Sequence, residues 1–151
     1  VYHLADLHIR NLQRHKEYRL VFKKFLKKVK EDKIEDSVIY LAGDIAHAKT
    51  EMSPELVHEI SWFLTECAKL RETVVITGNH DCNLNNSHRL DVLTPIIQNL
   101  GNDRIHYLRD TGVYNIYTLL SVSILYWMTK KIGLKEIPLM EKIQSVFFMD
   151  Q

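Results

Sequence analysis

Three times between Val1 and Asp81 this chain carries an apolar, largely β-branched or aromatic run straight into side chains that can bind a metal or move a proton. Val1 to Ala5 leads to Asp6-Leu7-His8-Ile9, Ser37 to Ala42 to Gly43-Asp44-Ile45-Ala46-His47, and Thr73 to Thr77 to Gly78-Asn79-His80-Asp81. Short β-rich runs closed by turn residues read as buried strands. The stretches between them have helical periodicity, so the order is strand, helix, strand, helix, strand, helix, strand. That order specifies an α/β fold with a mostly parallel sheet. In such sheets ligands bind beyond the carboxyl ends of the strands, where all three groups fall. Singly, each has a plainer reading: a chance D-x-H loop, or a solvated turn built from Gly, Asn and Asp. Three at equivalent strand ends point to a site.

The helices follow from apolar stripes. His15 to Lys33 places Tyr18, Val21, Phe22, Phe25, Leu26 and Val29 along one side. Lysines 23, 24, 27, 28 and 30 cover the other. Between Arg10 and Lys33 ten Lys or Arg stand against three acids, a local charge of +7. That face reads either as a phosphate contact or as an ordinary solvated surface. The next helix has Ser53 as N-cap, Pro54 at its first position and a stripe from Leu56 to Leu70. A third is expected over His88 to Leu100, with Leu90 in its stripe, Pro95 at a kink or at the beginning of a second short helix, and Gly101 as its stop. Ile105 to Leu108 reads as a fourth strand, with Val113 to Leu119 returning as its hairpin partner.

Composition excludes several classes. A chain of 151 residues has the length of one domain able to bury a core. With 46% hydrophobic residues and a net charge of +1, no global polybasic field favours nucleic acid or membrane. The longest apolar run, Leu119 to Met128, is broken by serines and too short to span a bilayer. Cys67 and Cys82 form no disulfide framework. With no initiator Met, the sequence reads as trimmed in front; with no basic-apolar leader, the expected setting is intracellular, cytoplasm or nucleus.

Carboxylate, imidazole and amide oxygen donors suit hard-to-borderline divalent ions, here Mn²⁺, Mg²⁺, Fe²⁺ or Zn²⁺. Two such ions about 3.5–4 Å apart clamp a phosphoryl group and acidify a water. The donor set therefore indicates metal-assisted phosphoester hydrolysis. On D-x-H at Asp6-Leu7-His8, G-D at Gly43-Asp44 and G-N-H-D at Gly78 to Asp81, the chain resembles the calcineurin-like metallophosphoesterases over about residues 1–120. Within them it looks most like the SbcD-like nuclease subunit of the double-strand-break repair complex. His3 to His8, Gly43-Asp44-Ile45-Ala46-His47, then Lys49 and Ser53-Pro54, and a GNHD rather than a GNHE carry that likeness.

The resemblance implies an α-β-β-α sandwich, with residues 1–120 as the N-terminal part of the nuclease domain and 121–151 as a divergent or truncated continuation. It implies two divalent ions, manganese first. Asp6 and His8 would hold one, Asp44 would bridge, and Asn79 would hold the other. His80 would act as general acid, with Asp81 orienting it. His47 would help place the DNA backbone, or simply tie its loop by a hydrogen bond. DNA, an SMC-like repair ATPase and a second copy of the chain are the implied partners. Another phosphoesterase of the superfamily, or an inactive truncated relative, is the alternative.

Ile9 and Ala46-His47, where phosphoprotein phosphatases carry glycine and a different extension, set the chain apart from those enzymes. The sequence also departs from the pattern. The family completes its metal shells with a downstream His and a G-H-x-H pair, and no histidine follows His106 here. The second sheet is therefore expected to be barely begun, and metal binding by this chain alone to be weak.

Overall fold

The computed structural model describes residues 1–34, 36–83, 86, 88–110, 112–116 and 119–123. The loop expected over Lys130 to Ile137 and the strand expected over Gln144 to Met149 lie outside them.

The described elements are β1 (Tyr2–Leu4), α1 (His15–Glu31), β2 (Val38–Ala42), α2 (Pro54–Leu70), β3 (Glu72–Ile76), α3 (Leu93–Leu100), β4 (Ile105–Leu108), β5 (Gly112–Ile116) and β6 (Leu119–Ser123). β1 to β4 form one parallel sheet in sequence order. Its register sets Leu4 beside Leu41 and Leu41 beside Val75. Parallel neighbours in register bring their carboxyl ends to one edge, so the loops after β1, β2 and β3 start side by side.

Strand alternation divides the core. Ile39, Leu41 and Val75 pack under the three helices, joined by Phe22, Phe63 and Leu93. Phe22 of α1 and Phe63 of α2 stack with centroids 4.0 Å apart, which fixes the contact between these helices. Val21, expected in the α1 stripe, is instead 59% exposed. The buried set of α1 is Phe22, Leu26 and Val29, a narrower stripe that leaves Val21 outside. On the outer side of α1–α2, Arg19 makes a paired contact with Glu59 (2.5 and 2.9 Å) and lies 3.7 Å over the Trp62 ring. α2 begins as expected: Ser53 Oγ accepts from the Leu56 N–H, and Pro54 occupies the first turn.

Two expectations are corrected. α3 starts at Leu93, not His88, and Leu90 is exposed rather than in its stripe. The reason is Asp91. Its carboxylate accepts from the Leu93 and Thr94 N–H groups and from Thr94 Oγ1, and so ends the loop there. Pro95 contributes no N–H, so it sits in the first turn without leaving a donor unpaired and without a kink. Gly101 closes the helix in the left-handed conformation at φ 52°. The second correction concerns β5. It pairs antiparallel with β6 in a separate two-stranded sheet, not with β4. Ile116 packs with Val74 and Leu108 on the sheet face away from the helices, so the chain crosses over to cover apolar surface that a hairpin beside β4 would leave open. Among the described residues this second sheet has two strands, β5 and β6. Among the described residues no helix is long and apolar enough to cross a membrane.

Asp91 ties α3 to β4 as well, because Tyr107 Oη donates to it at 2.6 Å and Arg109 Nε approaches at 3.2 Å. Burial pushes the Asp91 carboxyl up, but the bonds from Thr94 and Tyr107 outweigh it and hold the group below its usual range. A depressed folded value means the ionised form stabilises the fold above about pH 4, the unfolded carboxylate value, and that this contribution fades as pH falls further. Asp91→Ala, which strands several buried donors, should lower stability at pH 7 by about 2–4 kcal/mol. Urea denaturation should show that gap narrowing below about pH 4.

Candidate metal centre

Beyond their carboxyl ends the loops after β1 and β2 stay zipped together. Asp6 N–H donates to Gly43 O, His8 N–H to Asp44 O (2.9 Å), Ile9 N–H to Ile45 O (2.8 Å) and His47 N–H to Ile9 O (3.0 Å). Ile9, Ile45 and Ala46 are wholly buried, so the loops are anchored by apolar side chains between the polar ones. Ile9, at the position where phosphoprotein phosphatases have glycine, is one of those anchors.

The loop after β3 closes on this pair at very short range. A Cβ on Gly78 would lie 2.1 Å from Asp44 Oδ1, and one on Gly43 would lie 2.9 Å from the Gly78 Cα. Both glycines are demanded by that approach, and Gly43 also has φ +84°. Asp81 completes the joint. It is fully buried, and its oxygens accept from Ala46 N–H at 2.8 Å, Gly78 N–H at 2.9 Å and Ile45 N–H at 3.2 Å. Burial pushes its carboxyl up to about 6, against the pull of the three amide donors, and the nearby Asp44 charge pushes the same way as burial.

The donor side chains gather above this joint. His8 Nε2 lies 3.8 Å from Asp6 Oδ1 and 3.9 Å from Asp44 Oδ2. Ligand atoms of Asp6, His8 and Asp44 all fall within 4.8 Å of one another, and so do those of His8, His47 and His80. Asp6, His8 and Asp44 each adopt a positive φ, 55°, 47° and 51°. Left-handed backbone is strained for such residues, and among the described residues three of the four non-glycine examples bear donors. Two carboxylates and an imidazole converging in this way fit a divalent ion in the manganese-to-zinc range. Asn79 directly precedes His80 in the loop after β3, and the His80 N–H donates to Asp44 Oδ1 at 2.7 Å.

The expected partner of His80 is corrected. Asp81 faces backbone amides and not the His80 ring. His80 Nδ1 instead lies 2.9 Å from the His47 carbonyl oxygen. A carbonyl only accepts, so Nδ1 carries the proton and Nε2 is the free working nitrogen. The backbone of His47 thus has a role its side chain did not suggest, and the sequence held no signal for it. His47 and His80 rings lie nearly parallel, 5.9 Å apart. His88 is exposed, and His106 pairs with Glu72 at 2.7 Å at the amino ends of β3 and β4, the far end of the sheet. Neither belongs to the centre.

The profile of the family described as calcineurin-like phosphoesterase matches residues 1–148. An uncharacterized protein of Acanthamoeba polyphaga mimivirus is 46% identical over 121 residues, 79% of this chain and 9% of that protein. The chain thus spans about a tenth of the length of that relative. A nuclease of Pseudomonas putida aligns over 75% of this chain and 49% of its own, with a TM-score of 0.48 and 20% identity.

If the Asp81 joint sets the donor geometry, Asp81→Ala strands three buried N–H groups and should cost about 2–5 kcal/mol in chemical denaturation. Gly78→Ala, with no room for its methyl, should be at least as damaging, and calorimetry would show it as a fall in Tm.

Proposed function

The chain belongs to the calcineurin-like phosphoesterase family, whose reaction is phosphoester hydrolysis, and on that premise we propose that it cleaves phosphodiesters with two divalent ions, DNA being the substrate. The observation that carries the reading is the convergence of Asp6, His8 and Asp44 within 4.8 Å, beside His80 with one ring nitrogen already pinned. The choice of DNA is supported by the sequence of the G-D-I-A-H and G-N-H-D loops, and manganese by the oxygen-rich ligand set.

In this reading Asp6 and His8 hold one ion, Asp44 is shared, and Asn79 holds the second. Bound ions supply Lewis-acid charge that polarises the phosphoryl oxygens and acidifies an attacking water. The protein's own part is positioning and proton transfer. His80 keeps its Nδ1–H on the His47 carbonyl through the cycle, so the ring cannot swing. Its protonated form delivers the Nε2 proton to the leaving oxygen and returns to the Nδ1–H tautomer. His47, exposed beside it, offers an imidazole to a neighbouring phosphate of the strand. Asp81 acts through the backbone, holding the loops of Asp44 and His80 at a fixed distance. Residues 1–120 form the N-terminal part of the phosphoesterase domain in this proposal, with 121–151 continuing it. An SMC-like ATPase and a second copy of the chain are proposed partners on the same resemblance.

The described ligands number three for one ion and two for the other, short of the six that manganese ordinarily gathers. Titration calorimetry with Mn²⁺ should therefore show weak binding, and two tight sites would contradict this. Manganese-dependent cleavage of single-stranded DNA should exceed that of a chromogenic phosphodiester. His80→Ala should lower kcat on DNA by about 10²–10⁴-fold. Asn79→Ala should abolish the dependence on a second manganese. Equal rates on both substrates would sink the choice of DNA, and rates untouched by His80→Ala would sink the mechanism.

A further inference from the structure

The centre holds two overlapping ligand sets of different chemistry. One is Asp6, His8 and Asp44, two carboxylates and an imidazole; the other is His8, His47 and His80, three imidazoles. We propose that the three-histidine set is a second, zinc-class site sharing His8 with the first, which takes Zn²⁺ or a similar imidazole-seeking ion in competition with manganese on the carboxylate set.

The geometry of the rings carries this. Their centroids lie 4.6 Å (His8–His80), 5.5 Å (His8–His47) and 5.9 Å (His47–His80) apart, and the ligand nitrogens lie within 4.8 Å. A tetrahedral zinc with bonds of about 2.0–2.1 Å wants its nitrogens about 3.4 Å apart. Ring rotations of modest size close that gap. His47 is exposed and free to turn. His8 Nδ1 is buried and has no hydrogen-bond partner, so no bond on that side opposes a turn of its ring. A buried, unpaired ring nitrogen is itself an unmet demand for a partner.

The surroundings of His80 match those of a ligating histidine. Such a residue usually donates its second N–H to a carbonyl or carboxylate, which fixes the tautomer and aims the other nitrogen at the ion. The contact of His80 Nδ1 with the His47 carbonyl does this, and it ties two of the three rings to each other. Three imidazoles with an open fourth position are a zinc ligand set, whereas carboxylates suit manganese better.

His8 belongs to both sets, so filling one disturbs the other. Zinc on the three histidines would occupy the His80 nitrogen that delivers the proton and the His47 imidazole that meets a phosphate. Zinc is then an inhibitor of the manganese form. This consequence rests on the phosphodiesterase reading; the ion preference rests on the geometry alone.

The test is a double dissociation on the metal-stripped full chain, read by binding. Zn²⁺ is titrated by calorimetry, Mn²⁺ by its free-ion EPR signal, and Co²⁺ by its visible absorption. His47→Ala should weaken Zn²⁺ at least about 10-fold and abolish the strong absorption of four-coordinate cobalt, with Mn²⁺ affinity little changed. Asp44→Asn should do the reverse, weakening Mn²⁺ and leaving Zn²⁺ and the cobalt spectrum in place. Far-UV circular dichroism melts confirm that each variant is folded, and Asp6→Asn serves as a second carboxylate probe should Asp44→Asn fail that check. Parallel losses of Zn²⁺ and Mn²⁺ in both classes of variant would overturn the proposal, as would unchanged zinc binding in His47→Ala. A clean dissociation in a chain that hydrolyses no phosphodiester would leave the zinc site standing and remove the functional reading instead.

Discussion

At the heart of the site backbone faces backbone with no room for a side chain between. Gly43 and Gly78 meet so tightly that neither tolerates a Cβ, and the Asp44 carboxylate fills the place where a side chain on Gly78 would be. The ends of β2 and β3 are thereby held at one separation. Asp81 locks that separation from below by accepting amides from both loops. Every donor that faces the candidate centre hangs from this joint or from the β1 loop zipped to it. The fold's role is to deliver two strand ends to each other with almost no slack, and the parallel register of β2 with β3 does so.

Such closeness is held against strain. Asp6, His8 and Asp44 sit in left-handed backbone, at about 1–3 kcal/mol each. What offsets this lies between them in sequence. Ile9 and Ile45 are wholly buried, and full burial of an isoleucine contributes about 1.5–3 kcal/mol. The ladder from Asp6, His8 and Ile9 onto Gly43, Asp44 and Ile45 adds hydrogen bonds of about 0.5–1.5 kcal/mol each. The two sides are of similar size, and the buried apolar anchors tip the balance. A wholly buried isoleucine directly follows two of the strained donors, Ile9 after His8 and Ile45 after Asp44.

Much of this was legible in the sequence, and for physical reasons. Periodicity revealed the parallel sheet because each strand is a short β-rich run and each helix has an apolar stripe. Motif spacing revealed that Asp6, His8, Asp44 and His80 would meet, because each follows a strand directly. What was not legible depends on partners distant in the chain. Asp91 shortens α3 by capping Leu93 and Thr94 while holding Tyr107, a bond no local pattern announces. Val21 obeyed the helical period, yet the facing surface is narrower than the stripe. β5 turned to β6 because of uncovered apolar surface beyond β3 and β4, a demand of the whole sheet rather than of residues 113–119. Asp81 looked like a partner for His80 through adjacency, whereas its oxygens point to three amides brought in by other loops.

His80 is held from two sides that the chain brings together independently. Its backbone N–H rests on Asp44 Oδ1 and its ring on the His47 carbonyl, and both of those residues lie on the loop after β2. Any ion that draws on the Asp44 carboxylate therefore pulls on the backbone of His80, and any rotation of the His47 peptide releases its ring. Occupancy of the carboxylate set and availability of the His80 nitrogen are thus mechanically linked through one loop of five residues, Gly43 to His47. Under the proposal of two ligand sets, that linkage would make the site respond to which ion it holds. An ion on the oxygens leaves Nε2 of His80 open, while an ion among the imidazoles takes it. The same hydrogen bonds would serve both proposed roles of His80, proton donor and ligand, because both require one nitrogen pinned and the other aimed.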